Sequence, residues 1–170
     1  MSKPLCITFA GPVGRGKTPI ATYLSYHFDL PIFNNDAIRS EIYQDFGVLN
    51  EEEYLSRRDQ RLQFVLEKGK SFILDASVDR AWAGFRNLLD KYGYEPCIIS
   101  LDISEEYLRK FYESKSCNEP IGGIVKFIQD HENFLKNYPE DVDFHITDAE
   151  YPERMRLTEE FIAQWIRDRD

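Results

Sequence analysis

Apolar residues run almost unbroken through Leu5-Cys6-Ile7-Thr8-Phe9-Ala10, Phe72-Ile73-Leu74 and Pro96-Cys97-Ile98-Ile99-Ser100-Leu101. Runs of this kind, without the alternation of a half-exposed strand, predict strands covered on both faces. Strands are expected at 5–10, 71–75, 96–101 and 142–146, with a short extended piece at 31–34. Between them the apolar positions take a helical period, predicting helices at 17–28, 36–46, 51–68, 79–92, 104–115, 120–137 and 152–168. In the helix over 51–68, for instance, Tyr54, Leu55, Leu62, Val65 and Leu66 share one face. Gly69 and Gly93 stand where two of the helices should stop. Strand–helix alternation over the whole chain, with no repeat or linker, predicts one α/β domain spanning 1–170. Its parallel sheet lies between two helical layers, and ligands are expected beyond the carboxyl ends of the strands.

The first such strand end carries Gly11-Pro-Val-Gly-Arg-Gly-Lys-Thr18. A glycine-rich turn between a strand and a helix folds its backbone so that successive N–H groups face an anion. The helix that follows adds its unpaired N–H groups and positive dipole end. Gly11, Val13, Gly14, Arg15, Gly16, Lys17 and Thr18 form the expected cofactor-binding loop. Lys17 reaches β- and γ-phosphates, and the Thr18 hydroxyl is a ligand for accompanying Mg²⁺. The competing reading is an ordinary Gly/Pro turn. Pro19 follows at once; a proline is tolerated in a first helical turn, where its missing N–H has no partner to lose.

Other strand ends carry further candidates. Asn34-Asn35-Asp36-Ala37-Ile38-Arg39 follows the second strand. Asp36 stands where a helix cap is expected, and capping is one reading of it. The other is catalytic: Asp36 and Arg39, three apart on one helix face, suit accepting a proton from a hydroxyl nucleophile and holding its bearer. Asp75 closes a buried strand and is read either as a carboxylate for Mg²⁺ or as a turn cap, with Asp79 as an alternative cap for the next helix. Arg109, Lys110 and Lys115 are candidate cations for a transferring phosphoryl group, and the stretch around 109–123 is a candidate lid hinge. Surface lysines on a plain loop are the alternative. Arg57, Arg58 and Arg61 form a basic stripe, and Arg154 and Arg156 follow the last strand near where a base would lie. His27, His131 and His145 have no metal or triad spacing and read as structural.

Composition narrows the partners. Net charge is −9, which opposes the basic footprint of a long nucleic acid while leaving room for a local phosphate site. No apolar stretch is long enough for a membrane span. Cys6, Cys97 and Cys117 lack metal-type spacing, which suits a cytoplasmic protein with buried thiols.

The loop, the NNDAIR segment and the FILDAS strand together resemble the small P-loop kinases of the AAA_33 type, a group similar to the kinase half of polynucleotide 5′-kinases, zeta-toxins and chloramphenicol phosphotransferases. That resemblance implies a three-layer P-loop NTPase fold with a five-stranded parallel sheet ordered 2-3-1-4-5. It also implies ATP with Mg²⁺ as donor, GTP remaining open because the loop does not see the base, and a small hydroxyl-bearing acceptor. Lys17 and Thr18 match the phosphate and metal residues, Asp36 the general base, Arg39 the substrate arginine and Asp75 the strand-end metal carboxylate. Two departures stand out: Pro19 after the loop, and a lid helix, Glu105-Glu106-Tyr107-Leu108-Arg109-Lys110, without a clear pair of spaced arginines. These motivate an alternative function, a nucleotide-binding regulatory module without phosphotransfer.

Overall fold

The computed structural model describes residues 3–12, 14, 16–114 and 121–169. Five strands, β1 (Leu5–Ala10), β2 (Ile32–Asn34), β3 (Phe72–Ser77), β4 (Glu95–Asp102) and β5 (Phe144–Thr147), form one sheet in the order β2-β3-β1-β4-β5. Every neighbouring pair is parallel. The helices are α1 (Lys17–Phe28), α2 (Asn35–Phe46), α3 (Glu51–Glu67), α4 (Trp82–Tyr92), α5 (Glu105–Ser114), α6 (Ile121–Asn137) and α7 (Arg154–Arg167), with short 3₁₀ turns at Pro139–Asp141 and Tyr151–Glu153.

Alternation along the buried strands divides the core in two. On one face Cys6, Ala10, Phe72, Leu74 and Ile98 meet Ile38, Ile42, Tyr54, Trp82, Leu89 and Phe134 from α2, α3, α4 and α6. On the other, Ile7, Phe9, Ile73, Ile99 and Leu101 meet Ile20, Leu24, Leu108, Ile162 and Trp165 from α1, α5 and α7. β1 is central and shielded on both sides, which explains why its sequence shows no polar alternation. Cys6 and Cys97 are buried free thiols, both pushed upward by desolvation. Among the described residues no helix is long and apolar enough to cross a membrane.

Among the boundaries that differ from the expectation, three near the strand ends have a local reason. β3 runs on to Ser77 rather than stopping at Asp75. Its pairing with β1 slips between Ile7↔Ile73 and Phe9↔Ser77, and the Thr8 hydroxyl lies 3.4 Å from the carbonyls of Leu74 and of Ala76. Such an irregularity re-aims a side chain, here Asp75, at the sheet's upper edge. α4 starts at Trp82 and not at residue 79, because the Asp79 carboxylate is engaged elsewhere and residues 79–81 make a turn. α2 is capped by Asn34 instead of Asp36: the Asn34 side-chain oxygen accepts from the N–H groups of Asp36 (2.7 Å) and Ala37 (3.1 Å). Asn34 holds the extended conformation that a cap requires, so Asp36 falls in the first turn with its carboxylate unspent on capping.

Candidate active site

Beyond the carboxyl ends of β1, β2 and β3 lies a cavity of about 420 Å³, lined among others by Gly16, Lys17, Thr18, Asp36, Arg39 and Asp75. Its floor is the turn from β1 into α1. Gly11 has φ +122°, Gly14 +82° and Gly16 +83°, all in the region that L side chains avoid. The turn is also tight: a Cβ on Gly16 would stand 2.7 Å from the Tyr151 hydroxyl. Gly16 caps α1 with no side-chain bond, so the first N–H groups of α1 point at the cavity without an intrahelical partner. Pro19 is the third residue of α1 and takes a place where no helical hydrogen bond is lost. Val13 and Arg15 lie outside the described residues.

Lys17 extends across the loop, its Nζ donating to the carbonyls of Gly11 (2.8 Å) and Pro12 (2.6 Å). Thr18 Oγ1 donates to Asp75 Oδ1 at 3.2 Å, bringing together the two expected metal residues. The second Asp75 oxygen accepts from Asn34 Nδ2 at 2.8 Å. Partial burial nonetheless pushes the Asp75 pKa up, against the Thr18 bond and the Lys17 charge. A half-buried carboxylate in that state is relieved by a cation. A hydroxyl and a carboxylate are hard oxygen donors that fit Mg²⁺, which keeps most of its shell for water and phosphate oxygens. Among the described residues no group of three or more His, Cys, Asp or Glu is placed to hold a metal ion.

On the opposite wall Asp36 and Arg39 pair at 3.1 Å on the first turns of α2. The Arg39 guanidinium lies over the Tyr54 ring, 4.6 Å from its centroid, which limits its swing. Asn35, Ser77 and Arg80 complete the rim. One Asn34 side chain therefore ties both acids of the cavity together, capping the helix of Asp36 while bonding Asp75. Sequence reasoning missed this role; the signal was an asparagine directly before the candidate motif, the commonest kind of helix cap.

Other candidates lie elsewhere. Arg109 and Lys110 are on α5, paired with Glu105 and Glu106 one helical turn back. Lys115 and the stretch 116–120 lie outside the described residues. The basic stripe of α3 is neutralised pair by pair: Arg57 by Asp45 and Glu53, Arg58 by Asp59, Arg61 by Glu41. Arg86 meets Asp141, which also accepts from Trp82 Nε1. Arg156 pairs with Glu153 and Glu160. Arg154 stacks over Tyr151 at 4.1 Å and lies beside Gly16, with its Nε buried and unbonded.

His131 is structural, as expected, but its partners were not legible in the sequence. His131, from α6, is buried between Asp79 (Nδ1, 3.3 Å) and Asp102 (Nε2, 3.0 Å), and Asp102 also meets His145 and Ser100. Nothing in the sequence spacing joins residues 79, 102 and 131; only the sheet order does. Burial opposes a charge on His131, yet its hydrogen bonds to both carboxylates outweigh it and hold its pKa at about 9. Asp102, partly desolvated but bonded by His131, Ser100 and His145, is drawn down to about 2. Because the His131 pKa is raised from 6.5, its stabilisation is whole below about pH 6.5 and fades as pH rises through about 9. Urea denaturation at pH about 6.5 and about 10 is expected to show a loss on the order of 2–3 kcal/mol in the wild type, and a much smaller one in His131→Gln.

No family model matches the sequence, and no curated protein matches it. Solved structures do match in fold. A provisionally designated kinase from Chloroflexus aurantiacus superposes over 100% of both chains with a TM-score of 0.68 at 17% identity. A gluconokinase from Sinorhizobium meliloti covers 99% of this chain and 97% of its own, with a TM-score of 0.62 at 16% identity. The APS kinase of Mycobacterium tuberculosis, in complex with AMPPNP and APS, covers 96% and 99% with a TM-score of 0.62 at 15% identity. The fold of this chain is that of the P-loop kinases, in sheet order and in extent.

Proposed function

We propose that this chain is a cytoplasmic phosphotransferase that moves the γ-phosphoryl group of ATP, with Mg²⁺, to the hydroxyl of a small acceptor, within the group that includes polynucleotide 5′-kinases and zeta-toxins. The observation that carries this reading is a single cavity in which Lys17, Thr18 and Asp75 face Asp36 and Arg39. Loop amides and the α1 N-terminus bind the polyphosphate, and Lys17 exchanges its carbonyl partners for phosphate oxygens. Thr18 and Asp75 are the residues that would hold Mg²⁺, which when bound would supply charge stabilisation to the polyphosphate. Asp36 accepts the acceptor's hydroxyl proton as that oxygen bonds to the γ-phosphorus and the bond to the β-phosphate oxygen breaks, leaving ADP. Arg39, steadied on Tyr54, orients the acceptor. P-loop kinase structures that hold nucleotide analogues, such as the APS kinase with AMPPNP, support the donor side of this reading.

A second reading, nucleotide binding without transfer, has one observation in its favour: Arg109 and Lys110 are satisfied by their own helix rather than turned to the cavity. A transfer assay with γ-labelled ATP and GTP decides between them, run over nucleosides, oligonucleotide 5′-ends, sugars and phenicol- or aminoglycoside-type alcohols. Label is expected in one acceptor class. Tight MgATP binding with no transfer to any class supports the regulatory reading, and no calorimetric heat with either nucleotide overturns both.

A further inference from the structure

Gly11 is the first residue of the phosphate loop, and its N–H donates to both oxygens of Asp79, at 3.0 and 3.2 Å. On its other side there is no room for a side chain, because a Cβ at Gly11 would lie 3.0 Å from the Leu101 carbonyl oxygen. Asp79 belongs to the connection after β3, and its side chain is 6% exposed. Against it packs His131, 8% exposed, with its other nitrogen on Asp102 at the end of β4. Both partners are carboxylates. Asp79 accepts from Gly11 and Asp102 from Ser100, so each is an acceptor, and the ring between them must donate from both nitrogens. The element that supplies this imidazolium is α6, whose Phe134 stacks on the same ring. The titratable and charged groups around it are Asp79 from the β3–α4 connection, Asp102 from β4, His145 from β5, and Asp130 of α6 with Arg80 opposite.

Enclosing an ion triad costs desolvation, and hydrophobic packing would stabilise the same space at least as well. What the triad adds is direction: a chain of bonds from α6 through His131 and Asp79 to the first amide of the loop. We propose that His131 is a positioning residue, a tether that sets the Gly11 amide and with it the phosphate loop only while α6 is docked against the sheet. The proposal rests on the reading above that residues 11–18 hold a nucleoside triphosphate. His131 touches no reacting atom in this arrangement.

The test uses the full chain and two readouts. The first, without nucleotide, is hydrogen exchange at the Gly11 amide measured against the Ile99 amide of β4 and the Val78 amide, which lies just beyond β3 and donates to the Phe9 carbonyl. His131→Gln is expected to speed Gly11 exchange by about tenfold or more relative to those two. The second is the MgATP dissociation constant by calorimetry at a temperature where circular dichroism shows the variant folded. It is expected to rise about tenfold, with the wild-type value weakening as pH climbs through about 9 and the variant's staying flat. Should His131→Gln fail to fold, Asp79→Asn, which keeps the side-chain shape, carries the same expectation at about threefold or more. Wild-type exchange at Gly11 in a folded variant, or an unchanged dissociation constant with an unchanged pH profile, overturns the tether. A wild-type protein that binds neither MgATP nor MgGTP overturns the nucleotide reading instead, and the Gly11 amide alone then decides.

Discussion

Asp36→Asn is expected to reduce phosphoryl transfer by about a thousandfold, within the 10²–10⁴ range of a lost general base, while leaving MgATP affinity within about twofold. The substitution is isosteric, and the structure makes it a clean one. Asn34 caps α2, so replacing Asp36 removes no capping bond. The Asp36 side chain is 83% exposed and its pair with Arg39 lies at the surface, where ion pairs add little to stability. Thermal melting should therefore coincide with wild type, and single-turnover transfer measured beside equilibrium MgATP binding checks the rest. Equal transfer rates in the two proteins would remove Asp36 from the mechanism. A fall in nucleotide affinity of the same size would place it among the donor contacts.

Gly11→Val carries the largest expected cost to stability. The residue sits at φ +122°, and any side chain would press on the Leu101 carbonyl at 3.0 Å and its Cβ at 3.1 Å. Those atoms belong to β4 in the middle of the sheet and cannot yield as a flexible side chain would. Backbone strain and overpacking together give a loss of about 3–5 kcal/mol. Gly93→Ala is the control: φ is +72° there, but the space is open, and a loss of about 1 kcal/mol is expected from strain alone. Urea denaturation of both variants checks the contrast. Similar losses at the two positions would mean that Leu101 gives way and that the turn is softer than its contacts imply.

How far the sequence carried depends on which physics each feature uses. The strands follow from local signals, since double-sided burial writes itself as unbroken apolar runs in β1, β3 and β4, whereas the sheet order came only with the resemblance to the P-loop kinases. The loop from Gly11 to Thr18 is legible for a similar reason: its backbone geometry can be met only by glycines at fixed spacing. Helix ends were harder. The cap of α2 moved from Asp36 to Asn34 because either residue type can cap, and only the backbone conformation chooses. The start of α4 moved because Asp79 was taken by Gly11, a contact between residues 68 positions apart. The set of Asp79, Asp102 and His131 was invisible for the same cause in stronger form. Each member looks ordinary in its own segment, and only the order β3-β1-β4 and the docking of α6 make them neighbours.

The hydrogen bonding of Asn34 on both ends of its carboxamide has a consequence for how the cleft can breathe. With the base of α2 pinned to Asp75 through that one carboxamide, the helix cannot slide along the sheet without dragging the metal-side acid with it. Freedom is left at its far end, where Gly47 turns the chain into α3. If the proposed function holds, a movement of the α2–α3 corner that admits the acceptor would pivot about this root and leave the separation of the two acids unchanged.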